Sequence, residues 1–176
     1  MKPKRTLVIN LFGGPGSGKS TLAADLFSEM KKHDYQVEMV REWVKLWAWE
    51  GKQMVYSDQV MVFGNQVREE TSLYNKVDAI ITDSPLILSG FYESINYKSH
   101  HLVPAAKKIM ELAEQNNVEY WNILIKRNFP YEAKGRFQTE AEANILERKM
   151  VQFLKCCKLP YETMQSVEEV MLELIQ

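Results

Sequence analysis

With 176 residues, 45% of them hydrophobic, the chain is long enough for one globular domain with a substantial core. Its 22 Lys plus Arg against 23 Asp plus Glu exclude an overall field drawing it to nucleic acid or anionic membrane, and no apolar run reaches the ~20 residues a bilayer crossing needs. The two cysteines, Cys156 and Cys157, are adjacent and match neither a zinc framework nor a redox C-x-x-C pair, so reduced thiols in a cytoplasmic protein are expected.

The basic start, Met1 to Arg5, runs directly into the apolar Leu7-Val8-Ile9-Asn10-Leu11-Phe12, which reads as a buried strand rather than a cleavable leader. Gly13-Gly14-Pro15-Gly16-Ser17-Gly18-Lys19-Ser20 follows, the G-x-x-x-x-G-K-[ST] spacing of a phosphate-binding P-loop. The chemistry requires a strand that turns sharply into a helix while backbone N–H groups converge on an anion. Gly14, Gly16, Ser17, Gly18, Lys19, Ser20 and Thr21 are therefore the expected nucleotide-binding residues, with Lys19 near the β- and γ-phosphates and the Ser20 hydroxyl on Mg²⁺. The expected nucleotide is ATP.

Apolar Leu22, Leu26 and Met30 predict a helix over 19–32, and a short strand is predicted over 36–40. Arg41-Glu42-Trp43 then opens a helix carrying Trp43 and Trp47, broken by Gly51. A longer helix is predicted over 57–74 and a buried parallel strand over 78–83, closed by Pro85. The pattern continues with a helix over 104–115, a strand over 118–126, a polar link over 127–138, a helix over 139–155, a strand over 161–164 and a helix over 166–175. Alternation of this kind implies a single α/β domain across 1–176, with three layers and a mostly parallel sheet.

Ligands of such sheets gather beyond the carboxyl ends of the strands. There Asp83 has the Walker B arrangement, completing the Mg²⁺ shell with Ser20 or orienting the acceptor hydroxyl. Glu38, Arg41 and Glu42 are the candidate acceptor-side groups, with Glu42 a candidate catalytic carboxylate. The polar link carries Arg127, Lys134 and Gly135-Arg136, the composition of a lid that brings cations to the γ-phosphate and excludes water. Arg136 is its expected catalytic arginine and Arg127 an acceptor-side cation. Trp43, Trp47, Trp49, Met54 and Phe63 offer a stacking wall for a planar base, although helical spacing favours a core place for Trp47. His33, His100 and His101 show no metal-ligand pattern and are expected at the surface.

These motifs resemble the ribosylnicotinamide kinase domain of the bifunctional NAD-salvage regulators and the wider P-loop ATPase/kinase group around it. The resemblance spans nearly the whole chain. It rests on the P-loop, Glu38-x-x-Arg41-Glu42-Trp43, Tyr56-Ser57-Asp58 with Gln66 on the following helix, Ile81-Thr82-Asp83-Ser84, and Pro130-Tyr131-x-x-x-Gly135-Arg136. It implies a nucleoside/nucleotide-kinase-like P-loop NTPase fold and transfer of the ATP γ-phosphate to a hydroxyl. Arg41, Glu42 and Asp58 would face the acceptor and Arg136 would belong to the lid. The chain departs from the family pattern at Asp83-Ser84-Pro85 and at Lys134, which leaves the acceptor open. Two other readings stand beside a small-molecule acceptor: a kinase acting on a polynucleotide or a modified DNA base, and a nucleotide switch that signals to a protein partner.

Overall fold

The computed structural model describes residues 4–44, 47, 49–126 and 139–175. In chain order the elements are β1 (Thr6–Phe12), α1 (Lys19–Lys32), β2 (Val37–Val40), α2 (Tyr56–Leu73), β3 (Ala79–Thr82), α3 (Leu86–Tyr97), α4 (Leu102–Glu114), β4 (Val118–Ile125), α5 (Glu140–Cys156), β5 (Glu162–Met164) and α6 (Val167–Ile175). Among the described residues the five strands form one sheet in the order β2-β3-β1-β4-β5, and every pairing is parallel. The N-terminal strand is thus the central one. Its register sets Asn10 opposite Thr82 on β3 and Asn122 on β4.

The two-residue period of a strand divides these side chains between two helical layers. Ile9, Leu11, Ile81, Ile123 and Ile125 pack with Leu22, Leu26 and Met30 of α1 and with Val170 and Met171 of α6. On the other face Phe12 and Leu124 meet Phe63 of α2, Leu86 and Phe91 of α3, and Leu146, Met150 and Leu154 of α5. With both faces covered, β3 is buried at all its positions, the reason Ala79-Ile80-Ile81 reads as a continuous apolar run. The expected three-layer α/β fold is therefore the observed one.

Helix α1 matches its predicted limits, and the ends of the other predicted elements coincide or differ by one or two residues, apart from two cases. Two differences are larger. The helix expected to carry Trp43 and Trp47 has Trp43 in a turn and Trp47 in helical conformation, while 45, 46 and 48 lie outside the described residues. Helix α3 has no counterpart among the predicted elements. Pro85, expected only to end β3, occupies its N-cap, and Leu86, Ile87, Leu88, Ser89, Gly90 and Phe91 are all buried, so no amphipathic period marks it. Gly90 lets α3 approach α4: a Cβ there would lie 2.5 Å from Val103 Cγ2 and 2.9 Å from the Val103 amide nitrogen.

Glu93 of α3 locks this corner. Fully buried, its carboxylate accepts the Leu102 N–H at 2.8 Å and the His101 N–H at 3.2 Å, both at the start of α4. It also accepts the Ser99 hydroxyl at 2.8 Å and the Tyr56 hydroxyl, from the start of α2, at 2.9 Å. Burial disfavours its charge, but these four donors together hold its pKa below the ordinary 4.5. A depressed carboxylate pKa adds stability that is present above pH 4.5 and lost as pH falls through the folded-state value. Glu93→Ala leaves buried donors unmatched and is expected to destabilise the fold by about 3 kcal/mol in urea denaturation at pH 7. The gap to the unsubstituted protein should narrow on acidification below pH 4.5; a gap independent of pH would show that Glu93 acts through packing alone.

Candidate active site at the carboxyl ends of the strands

The loop between β1 and α1 adopts the predicted turn because its glycines take conformations that other residues rarely adopt. Gly16 and Gly18 have φ of 76° and 90°. Gly13 is required for space, since a Cβ on it would sit 2.4 Å from the buried Ser17 Oγ. A Cβ on Gly14 would lie 3.1 Å from Glu147 Cβ and 3.2 Å from the Ala143 carbonyl, so α5 rests directly on the loop. The loop is thereby held between α1, which continues from it, and α5.

Lys19 bends back over this loop, its Nζ donating to the Gly13 carbonyl at 2.7 Å and the Gly14 carbonyl at 3.1 Å. The Ser20 hydroxyl donates to Asp83 Oδ2 at 2.6 Å, and the Glu42 N–H donates to Asp83 Oδ1 at 3.2 Å. Asp83 is 8% exposed, and through these bonds it joins the start of α1 and the segment after β2 to the end of β3 at one carboxylate. The turn beneath it is fixed by Thr82, whose Oγ1 accepts the Ser84 N–H at 3.0 Å and the Gln66 Nε2–H at 3.2 Å. Glu42 lies against α3: burial, then the Glu42 charge, raises the Tyr92 pKa.

The remaining predicted residues are distributed unevenly. Arg41 is exposed beside Glu42 at the end of β2. Asp58 sits in the first turn of α2, where its Oδ2 accepts the Val55 N–H at 3.0 Å and its charge raises the Tyr97 pKa, behind the larger effect of burial. Glu38 is not brought to the loop. Its carboxylate pairs with Lys31 at 3.6 Å, at the C-terminal end of α1 and about 18 Å along that helix from Lys19 at 1.5 Å per residue. Its place on an edge strand, half-exposed, lets the side chain meet α1 instead of the strand ends. Arg127, Lys134 and Arg136, with the expected lid over 127–138, lie outside the described residues. Of the stacking candidates, Phe63 belongs to the core, Trp47 is half-buried with Lys52 Nζ 4.7 Å from its ring centroid, and Trp43 and Trp49 are 40% and 57% exposed. The three histidines are exposed, as expected.

Thr82 and Gln66 carry more of the site than their sequence positions suggest. The available signal was on α2, whose buried positions Gln59, Val62, Phe63, Gln66 and Glu70 include three polar residues on a face that helical spacing would reserve for apolar ones. A magnesium ion suits the oxygen donors of Ser20 and Asp83, since that ion takes one or two protein ligands beside phosphates and water. Among the described residues no group of three or more His, Cys, Asp or Glu converges as a self-sufficient metal cage.

Comparison with known proteins places these features in context. The family model described as AAA domain matches residues 8–169. No curated protein matches the sequence. The structure of deoxyadenosine kinase from M. mycoides with bound dATP superimposes with a TM-score of 0.62 at 16% identity, covering 96% of this chain and 99% of that one, which shows a shared fold. The crystal structure of APE1195 gives a TM-score of 0.46 at 18% identity over 88% of this chain and 96% of that one. Among the described residues no helix is long and apolar enough to cross a membrane.

The packing at Gly13 yields a sharp expectation. Gly13→Ala must displace Ser17 and is expected to cost about 1–3 kcal/mol in stability, as overpacking does. It should also weaken nucleotide binding in calorimetry more than Gly51→Ala, a position with open space around its Cβ. Equal affinities for the two variants would show that the loop has slack.

Proposed function

The chain belongs to the AAA-domain family, and on that premise we propose that it is an ATP-dependent phosphotransferase moving the γ-phosphate of Mg-ATP to a hydroxyl of a nucleoside-like small molecule, with ribosylnicotinamide as a candidate acceptor. The observation that carries this reading is the joining of Ser20, Asp83 and the Glu42 backbone at one carboxylate. That contact sets Glu42 next to the cation-binding carboxylate, where a base for the acceptor hydroxyl is needed. The likeness in fold to a deoxyadenosine kinase supports the same reading.

The roles follow from what each group is already bonded to. The N–H groups of the loop and Lys19 hold the phosphates, with Lys19 exchanging the Gly13 and Gly14 carbonyls for phosphate oxygens. Ser20 and Asp83 would hold Mg²⁺, which when bound supplies charge neutralisation between the β- and γ-phosphates. Both Asp83 oxygens accept hydrogen bonds, so the proton of the acceptor hydroxyl is assigned to the Glu42 carboxylate, whose backbone is tied to Asp83. Arg41, Asp58 and Arg127 would orient the acceptor, and Arg136 would bring positive charge to the transferred group.

A polynucleotide acceptor is the second reading, favoured by the exposed Trp43, two residues from the exposed Arg41, and by the exposed Trp49, side chains suited to stacking bases along a strand. Incubating the protein with Mg-ATP and, separately, ribosylnicotinamide, nucleosides, nucleoside monophosphates and single-stranded DNA should give a phosphate mass gain on one acceptor class. Lys19→Ala and Glu42→Gln are expected to reduce that gain by about 10²-fold or more. Gain on DNA that is steeply salt-dependent selects the second reading. ATP binding with no acceptor phosphorylated would replace both by a nucleotide switch.

A further inference from the structure

Helix α2 carries a carboxylic acid into the dry layer between itself and the sheet. Glu70 is fully buried. Its Oε1 accepts the Tyr74 hydroxyl at 2.6 Å and lies 3.4 Å from the Tyr120 hydroxyl, and those two hydroxyls are 2.7 Å apart. Its Oε2 is buried without a partner. One turn earlier on the same face Gln66, also fully buried, donates from Nε2 to Thr82 Oγ1, while its Oε1 is likewise without a partner. Side chains four apart on a helix are neighbours, so the two orphaned acceptor oxygens lie on adjoining turns of one buried face.

Two buried acceptors without a donor are costly, and a single proton on Glu70 Oε2 satisfies both. It makes that oxygen a donor to Gln66 Oε1, directly or through one buried water. The surroundings favour the proton. Burial raises the Glu70 pKa to about 7 against the opposing Tyr74 and Tyr120 hydrogen bonds, and Glu114 on α4 adds negative charge beside Tyr120. Besides Tyr120 and Thr82 the sheet contributes apolar Val8, Val40, Ile80 and Val118 to this layer, and among the described residues no lysine or arginine pairs with Glu70.

We propose that Glu70 is a proton-bearing positioning residue of the phosphate site: its proton orients the Gln66 amide, which holds Thr82 Oγ1, which holds the Ser84 N–H and with it the turn that aims Asp83. Hydrogen bonds run from Tyr120 to Glu70 and from Gln66 through Thr82 to Ser84, and the proton on Glu70 is the link between the two runs. When a base in solvent removes the proton, the carboxylate requires a donor. The Gln66 amide then turns its Nε2 to Glu70, and its Oε1 requires the Thr82 hydroxyl as a donor. Each protonation state thus pairs both orphaned oxygens, but only the protonated one keeps Gln66 as the donor to Thr82 Oγ1 seen in the structure; in the other the bond reverses and the Thr82 hydroxyl turns toward Gln66. Mg-nucleotide affinity should therefore fall as pH rises through about 7. A drop of about fivefold is the low end of ordinary coupling between sites.

The inference rests on Asp83 being part of the phosphate site, and its test separates the two ideas. In the full chain labelled with ¹³C-carboxyl glutamate and ¹⁵N, NMR should show Glu70 titrating far above the other glutamates, with the Ser84 amide shift following the same curve. Glu70→Gln keeps a donor facing Gln66, so its Ser84 amide and its Mg-ATP affinity by calorimetry should match the pH 6 values of the unsubstituted protein at every pH. Glu70 titrating in the ordinary carboxylate range, or a Ser84 amide indifferent to its titration, overturns the proposal without need of any variant. Coupled titration of Glu70 and Ser84 with no Mg-ATP binding would uphold the positioning chain and sink the phosphotransferase reading instead.

Discussion

Asp83 is the point on which the arrangement depends. A carboxylate almost withdrawn from water must have its lone pairs met, and here the donors come from two other parts of the chain, the Ser20 hydroxyl and the Glu42 backbone. The P-loop, the end of β2 and the end of β3 are therefore spaced by hydrogen-bond lengths. Rigid-body packing of three layers alone would leave freedom of an ångström or so between such segments. The proposed phosphoryl transfer would not tolerate that freedom, because most of the acceleration in such a reaction comes from positioning and fixed charge.

Support for that carboxylate is drawn from a polar row running across the sheet. Thr82, Asn10 and Asn122 stand opposite one another in register and are all buried. Asn10 Nδ2 donates to Asn122 Oδ1 at 2.9 Å, and Asn122 Nδ2 donates to the Pro160 carbonyl at 3.0 Å. An all-apolar row would be more stable by simple transfer free energies, yet it would let parallel strands slip by two residues at little cost. Directional bonds at this level forbid the slip where it would do most harm, one to three residues before the P-loop and the Asp83 turn.

What was legible in the sequence was what physics makes local. The phosphate loop depends on backbone conformation and N–H direction, so its requirements compress into eight consecutive residues, and α1 follows with its limits as expected. Asp83 was legible because a buried strand must end near the ligands. Helix α3 was not, since burial on all sides erases periodicity and Pro85 suits both a strand's end and a helix's start. The same holds for Glu93 and Glu70, whose partners lie on other elements. Glu38 shows the opposite error: its nearness in sequence to Arg41 and Glu42 suggested a shared site, but an edge strand allowed it to pair with Lys31.

The central place of β1 has a consequence for how the chain reaches this structure. β1 precedes its two sheet neighbours in the chain, and its Asn10 bonds to a residue 112 positions later. During synthesis the apolar strand and its phosphate loop precede β3 by some seventy residues and β4 by more than a hundred. Non-local parallel pairing of this kind folds slowly and leaves strand edges open in the meantime. Until residue 118 has been made, β1 lacks one of its two neighbours, so the part of the molecule that defines the nucleotide site cannot be completed until well into synthesis.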